Sequence, residues 1–262
     1  MKKNTSTSTS KVLLLALAAY SFFYNFAAAN VFENKSSDTM VSTTNFGIVL
    51  NKAKVIYNQG DNGQTLTVDN PRSYPVLVQS SVLNSDKEKS NKFIVTPPLF
   101  RLEPKETDLI QIVYSGGEFP SNKESLNWLC VKGVPPKGGE LWNPQSEGGS
   151  KNKLNINILI AVDNCIKLIY RPQSVQGKPS DQVGELKWRL VGRKLVVDNP
   201  TPFVMSITDL KLNGVAINSG YVNPMSSTSF ELPSEGAKPG KLSWSIVGDL
   251  GNVSKGWNYI VK

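Results

Sequence analysis

The 262-residue sequence predicts an all-β protein built as two similar β-sandwiches in tandem, and three observations carry that expectation. Short apolar or alternating runs recur at intervals of about 8–12 residues from Phe46 onward, separated by Gly, Pro, Asn and Asp. No stretch in that region keeps the 3.6-residue apolar period of an amphipathic helix. Finally, Leu66-Thr67-Val68-Asp69-Asn70-Pro71 returns 129 residues later as Leu195-Val196-Val197-Asp198-Asn199-Pro200, with five of six positions identical and an apolar run after each copy.

In chain order, Lys2, Lys3 and Lys11 precede an apolar stretch from Val12 to Ala19 that continues less purely to Phe26 and ends in Ala27-Ala28-Ala29. A basic start, a short apolar middle and an Ala-x-Ala end read as a signal peptide over residues 1–29, cleaved after Ala29. The pure run is too short for a membrane anchor, which needs about 20 residues, so no stable membrane insertion is expected. Residues 30–45 are rich in Ser, Thr and Asn and read as a flexible N-terminal segment. A first domain is expected over 46–172. Its strands lie in Phe46–Tyr57, Thr65–Val68, Tyr74–Leu83, Leu109–Tyr114, Leu126–Val131 and Leu154–Tyr170. Residues 173–180, within a Pro-, Ser-, Gln- and Gly-bearing stretch, read as a linker. A second domain over 181–262 has strands in Leu186–Val191, Lys194–Val197, Phe203–Leu212, Ser227–Leu232, Leu242–Val247 and Trp257–Val261.

Composition narrows the chemistry. The chain has no histidine, which excludes Ser-His-Asp and Cys-His catalysis and any His-ligated metal site. Two cysteines cannot supply a four-thiolate metal site. Scattered carboxylates such as Glu103, Glu106 and Asp108 form no paired arrangement, so no catalytic residues, no metal and no cofactor are expected. Loss of residues 1–29 removes three lysines and no acid, lowering the net charge from +8 to +5, and the remaining basic patches are short or mixed. That is a solvated surface rather than a nucleic-acid footprint. In an oxidising compartment the two cysteines argue for a Cys130–Cys165 disulfide, worth about 4 kcal/mol through loop closure, with two free buried thiols as the alternative.

One run differs from the rest. Leu154, Ile156, Ile158, Ile160 and Val162 share one parity, opposite Asn155, Asn157, Leu159 and Ala161. A strand of this pattern buries one face. The face either packs on its own domain or is offered along an edge to another chain, which proteins normally avoid because it invites strand pairing. Before it, Pro135–Lys153 is a long Pro-, Gly-, Lys- and Ser-rich loop containing Trp142.

The segments Thr96-Pro97-Pro98-Leu99-Phe100-Arg101-Leu102-Glu103-Pro104, Lys123-Glu124-Ser125-Leu126, Gly133-Val134-Pro135-Pro136-Lys137 and Cys165-Ile166-Lys167-Leu168-Ile169-Tyr170-Arg171-Pro172 stand in an order and spacing that resembles the PapD-like periplasmic pilus chaperones. The long Pro135–Lys153 loop and the cysteine pair resemble the long-loop (FGL) branch, which serves thin or capsule-like surface fibres. The resemblance implies two immunoglobulin-like sandwiches in a boomerang-shaped arrangement, and a periplasmic chaperone that holds fibre subunits by donor-strand complementation and delivers them to an outer-membrane usher. It implies that Leu154, Ile156, Ile158, Ile160 and Val162 are the donor residues, worth together on the order of 10 kcal/mol before ordering costs. It implies that Lys167 and Lys54 hold the subunit's terminal carboxylate, with Lys52 as an alternative to Lys54. Family members usually have Arg at position 54, and Lys keeps the charge without the planar fork. Glu124, Arg171 and Asp249 match a charged network that sets the angle between domains, although Asn252 stands where a Gly is usual. Lys167 has the opposite parity to the donor row, so a bend or bulge is expected near Asp163–Cys165. An exposed donor strand also lets free copies self-associate. The alternative reading is a secreted two-domain immunoglobulin-like adhesin or receptor module.

Overall fold

A computed structural model describes residues 40–137, 140, 155–233 and 238–262. The signal peptide, residues 30–39, Trp142 and Leu154 lie outside the described residues. Among those described, no helix is long and apolar enough to cross a membrane.

The first sandwich holds β1 (Met40–Asn45), β2 (Val49–Leu50), β3 (Lys54–Asn58), β4 (Gln64–Asp69), β5 (Val76–Leu83), β6 (Phe93–Thr96), β7 (Leu99–Leu102), β8 (Thr107–Tyr114), β9 (Ser125–Val134), β10 (Asn155–Ile160) and β11 (Val162–Arg171). A five-stranded sheet ordered β3-β11-β9-β5-β7 packs on a four-stranded sheet ordered β2-β4-β8-β6. Strict alternation in β4 and β5 turns Leu66, Val68, Val76, Val78 and Val82 inward, where they meet Ile110, Ile112, Leu129 and Leu168. β6 and β7 are separated only by Pro97-Pro98 and belong to different sheets, so the prolines mark a strand changing layers. Pro98 O still accepts a bond from Ser80 N at 2.8 Å.

The second sandwich holds β12 (Lys187–Val191), β13 (Lys194–Asn199), β14 (Met205–Leu212), β15 (Val215–Ala216), β16 (Tyr221–Val222), β17 (Ser226–Glu231), β18 (Gly240–Ile246) and β19 (Trp257–Val261). Sheet β12-β13-β17 faces sheet β15-β14-β18-β19, with β16 paired to β14. Its core centres on Trp188, Leu195, Phe203, Met205, Leu212, Trp244 and Ile246. Val175, inside the stretch expected to be linker, is buried in this second core, and two short 3-10 turns at Pro179–Asp181 and Val183–Glu185 follow it.

The sequence echo is a structural one. Asn70 directly follows the end of β4 and Asn199 ends β13; both are buried, with the side chain knotting the turn that follows. Asn70 Nδ2 donates to the carbonyls of Tyr74 and Glu103 at 2.9 Å, while its Oδ1 accepts from Arg72 N. Asn199 Nδ2 donates to Phe203 O at 2.8 Å and Asn223 O at 3.0 Å, and its Oδ1 accepts from Thr201 N. An unpartnered buried amide is costly, so the same residue solves the same problem in both domains.

Two expectations need correction. Met40–Asn45, inside the segment expected to be flexible, form β1, which runs parallel to β10 with Val41 opposite Ile156 and Thr43 opposite Ile158. Weak apolar patterning hid it: its stability comes from pairing with β10 rather than from burying its own side chains. Ser42 Oγ donates to Asn157 Oδ1 at 2.7 Å. The long run Leu154–Tyr170, expected to bend near Asp163–Cys165, instead breaks at Ala161.

Candidate functional site

The break at Ala161 reverses which parity faces the core. In β11 the even residues Ile166, Leu168 and Tyr170 pack into the first core; in β10 it is Leu159 that packs there, while Ile156, Ile158 and Ile160 remain 41%, 45% and 40% exposed. A period-2 element can do this only by losing or gaining a residue. The outward row of β10 thereby comes onto the same side as the odd residues of β11, including Lys167. Val162, expected as the fifth donor, falls after the break on the inward parity and is half-buried; it does not join the exposed row.

β10 is also unusual in its pairing. β9 ends at Val134, and its pairing with β11 extends outward only to Val162 opposite Gly133. Beyond that point β10 pairs with β1 alone among the described residues, leaving its other edge open. Gly133 allows the crossing of chains here: a Cβ at that position would sit 1.6 Å from Phe46 O. Phe46 N donates to Ile160 O at 3.0 Å, fastening the base of the two-stranded arm. Val41, 61% exposed and in register with Ile156, widens the apolar row by a residue that sequence reasoning missed.

β11, by contrast, is held on both sides. It is antiparallel to β9 and parallel to β3. Cys130 and Cys165 are direct cross-strand partners, 4.0 Å apart at Cα, and are disulfide-bonded. Lys167 stands opposite Lys54 in the β11–β3 register, and paired residues project to the same face of a sheet. Lys54 is buried, and its Nζ donates to Val247 O in the second domain at 2.9 Å. Lys52 lies before β3, exposed, and donates to Thr65 O of its own domain. Burial lowers the pKa of Lys54, an effect partly opposed by Asp249. Burial also lowers that of Lys167, and the charges of Lys54 and Lys87 add to it. Two ammonium groups held side by side in partial burial repel each other, and a neighbouring anion would relieve that repulsion.

The three charged residues expected at the domain junction come together. Glu124 is buried, and Arg171 reaches its Oε1 with Nε at 2.7 Å and with a terminal nitrogen at 2.6 Å. Arg171's other terminal nitrogen lies 2.8 Å from Asp249 Oδ2 in the second domain. Glu124 Oε2 accepts from Val204 N at 2.7 Å, and Glu124 N donates to Pro202 O at 2.9 Å. Burial raises the pKa of Glu124, while Arg171 and the Val204 amide pull it back down. Asn252 does not disturb the turn: Gly248 N donates to Asn252 O at 2.7 Å, and Asp249 still reaches Arg171. Leu126, Ile169 and Val204 form a small apolar cluster across the same junction.

Among the described residues, the one grouping of potential metal-ligating side chains is Cys130, Asp163 and Cys165, whose two thiols are spent in the disulfide.

Comparison with known proteins agrees with this geometry. Residues 47–176 match the family model described as the pili and flagellar-assembly chaperone PapD N-terminal domain, and residues 181–258 match the pili assembly chaperone PapD C-terminal domain. The chaperone protein AggD of Escherichia coli is 40% identical over 234 residues, covering 88% of this chain and 90% of AggD. The chaperone protein caf1M of Yersinia pestis is 38% identical over 226 residues, covering 83% and 87%. The crystal structure of the E. coli chaperone DraB superposes with a TM-score of 0.72 at 37% identity, over 85% of this chain and 100% of that one. A chain from the Salmonella enterica complex of SafA pilin with the SafB chaperone gives a TM-score of 0.74 at 37% identity, over 84% and 99%. With its two sandwiches matched in order to the two domains of one family, the chain belongs to the PapD-type pilus-assembly chaperones.

Proposed function

We propose that this protein is a periplasmic chaperone that binds fibre subunits with an incomplete immunoglobulin-like fold and hands them to an outer-membrane usher. The observation that carries the reading is the exposed row Ile156, Ile158 and Ile160 on a strand that, among the described residues, is paired along one edge only, leading into the paired cations Lys54 and Lys167. Export rests on the basic, then apolar leader that ends in Ala27-Ala28-Ala29.

In this mechanism β10 completes the subunit's sheet. Its free backbone N–H and C=O groups supply ladder hydrogen bonds, and the isoleucines enter the subunit's groove as alternating knobs. Each isoleucine has already lost more than half its exposure, so burying the remainder gives about 2–4 kcal/mol for the three together. That is well short of the figure expected for five exposed side chains. Backbone pairing, Val41, and Leu154 outside the described residues are left to supply the rest. Lys167 and Lys54 hold the subunit's terminal carboxylate and thereby fix which subunit residue meets which isoleucine. Lys54 spends one donor on Val247 O and keeps two for the ligand. The Glu124–Arg171–Asp249 network holds the second domain at the angle that leaves this cleft open, a role in geometry rather than net stability. Lowering the free energy of an exposed subunit groove by strand pairing needs no nucleotide.

The test is co-purification. The tagged chaperone, expressed in its own periplasm, is expected to bring down a fibre subunit in a one-to-one complex, and Lys167→Ala is expected to remove it. Undiminished recovery with Lys167→Ala contradicts the carboxylate site. Absence of any bound fibre subunit with the parent protein contradicts the chaperone reading and favours an adhesin-like module.

A further inference from the structure

The loop that carries the chain from β5 in one sheet to β6 in the other brings a cation to the aromatic ring beside Lys167. Asn84 organises the turn: its N donates to Glu88 O at 2.8 Å, its O accepts from Lys87 N at 3.1 Å, and its Oδ1 accepts from the amides of Asp86 and Glu88, both at 2.9 Å. This frame holds Lys87 at φ +68°, a left-handed conformation that lysine rarely adopts. The result is a defined placement for an otherwise mobile side chain. Lys87 Nζ sits over the ring of Trp128, 3.1 Å from its centroid.

Trp128 links this loop to the cation pair. It is the cross-strand partner of Lys167, whose Nζ lies 5.8 Å from the same ring and 5.3 Å from that of Tyr221 in the second domain. Trp128 and Tyr221 meet edge to face at 5.6 Å, closing one wall of the bay across the domain junction. These distances put the ammonium groups of Lys87 and Lys167 within about 10 Å, one Debye length at 0.1 M salt. Among the described residues neither is ion-paired to an acid. Glu88, next to Lys87 in the chain, instead accepts from Asn84 Nδ2 at 3.3 Å. Lys87 also depresses the pKa of Lys167, after burial and Lys54, so its charge is felt at the site.

We propose that Lys87, clamped over Trp128, is the third cation of the carboxylate bay and a positioning residue for subunit capture. It raises the positive potential that draws a terminal carboxylate toward Lys167 and Lys54, and acts on association more than on the final contact. The inference rests on the carboxylate reading of Lys167 and Lys54, and the experiment separates the two. The probe is a synthetic peptide of about fifteen residues from the C-terminus of the co-purified subunit, made as the free acid and as the C-terminal amide, with salt varied from about 20 mM to about 0.5 M. Lys87→Met keeps an unbranched stem over Trp128 and is expected to slow association of the acid peptide about three- to fivefold at low salt, with the loss vanishing at high salt. The amide should bind parent and Lys87→Met alike, and Lys87→Arg should behave as the parent. Asn84→Ala, which frees the turn without removing the charge, should give a smaller loss with the same salt and acid dependence. Equal slowing of acid and amide, or no slowing at low salt while Lys167→Met abolishes the preference for acid, overturns the role of Lys87. If the parent itself binds acid and amide equally, the carboxylate site fails and Lys87 falls with it.

Discussion

β10 and β11 come from one continuous aliphatic run, yet they have opposite fates. β11 lies between β3 and β9, is bonded to β9 through Cys130–Cys165, and buries Leu168 completely. β10 leaves the sandwich with β1 as its partner and keeps three isoleucines about 40–45% exposed. The residues are chemically alike, so hydrophobicity does not distinguish the two halves. What separates them is the end of β9 at Val134 and the parity change at Ala161. The run thus joins a rigid base, paired on both sides, to an arm that among the described residues is paired along one edge only. This is the arrangement that edge protection normally prevents.

The largest expected effects break that contrast through stability. Leu168→Ala should cost about 2–5 kcal/mol in denaturant unfolding of the first domain, because it opens a cavity in a closed core. Ile158→Ala should cost only about 1 kcal/mol in the same measurement, since nearly half of its side chain already faces water. Equal losses at both positions would mean that β10 belongs to the core. Next, the paired substitution Cys130→Ser with Cys165→Ser should lower stability by about 2–4 kcal/mol while leaving subunit affinity within a fewfold, since the bridge joins β9 to β11 and lies outside β10.

Ile158→Glu sharpens the comparison from the binding side. It should weaken the subunit complex by about 2–3 kcal/mol in competition binding with little change in the unfolding midpoint, because only the bound state buries that position fully. The smallest effect is on pH. A carboxylate needs Lys167 and Lys54 protonated, and both pKa values lie below the ordinary 10.5. Affinity should therefore be flat near neutrality and fall as pH rises, with the fall beginning at lower pH than an unperturbed lysine would give. Lys167→Arg, which stays charged, should shift that fall upward in a titration of complex formation.

Much of this was legible in the sequence, for physical reasons that differ by feature. Alternation in β4, β5 and β8 is strong because each buries one face, and the Asn70 and Asn199 turns announce the repeat because the same buried amide does the same work. β1 was hidden because a strand that pairs along its backbone and exposes its side chains leaves no apolar pattern. β6 and β7 are four residues each on either side of Pro97-Pro98, too short for their alternation to stand out where the chain changes layers. Val162 was misplaced because parity counted along the chain cannot register a one-residue reversal at Ala161. The resemblance names Lys54 and Lys167 as carboxylate anchors but not their opposite positions in the β3–β11 register, and the bond from Lys54 to Val247 O spans 193 residues and has no local signal. Lys87, in the mixed-charge run Lys87-Glu88-Lys89, carries no local signal of a partner, and only the turn built by Asn84 brings it to Trp128.

Amide hydrogen exchange across Asn155–Ile160 tests the central claim most directly, comparing the free chaperone with its one-to-one subunit complex. The account predicts that β10 exchanges much faster than β11 in the free protein and becomes protected to a similar degree in the complex, while β11 changes little. Protection of β10 already present in the free protein, or a complex that leaves β10 exchanging as before, would contradict it.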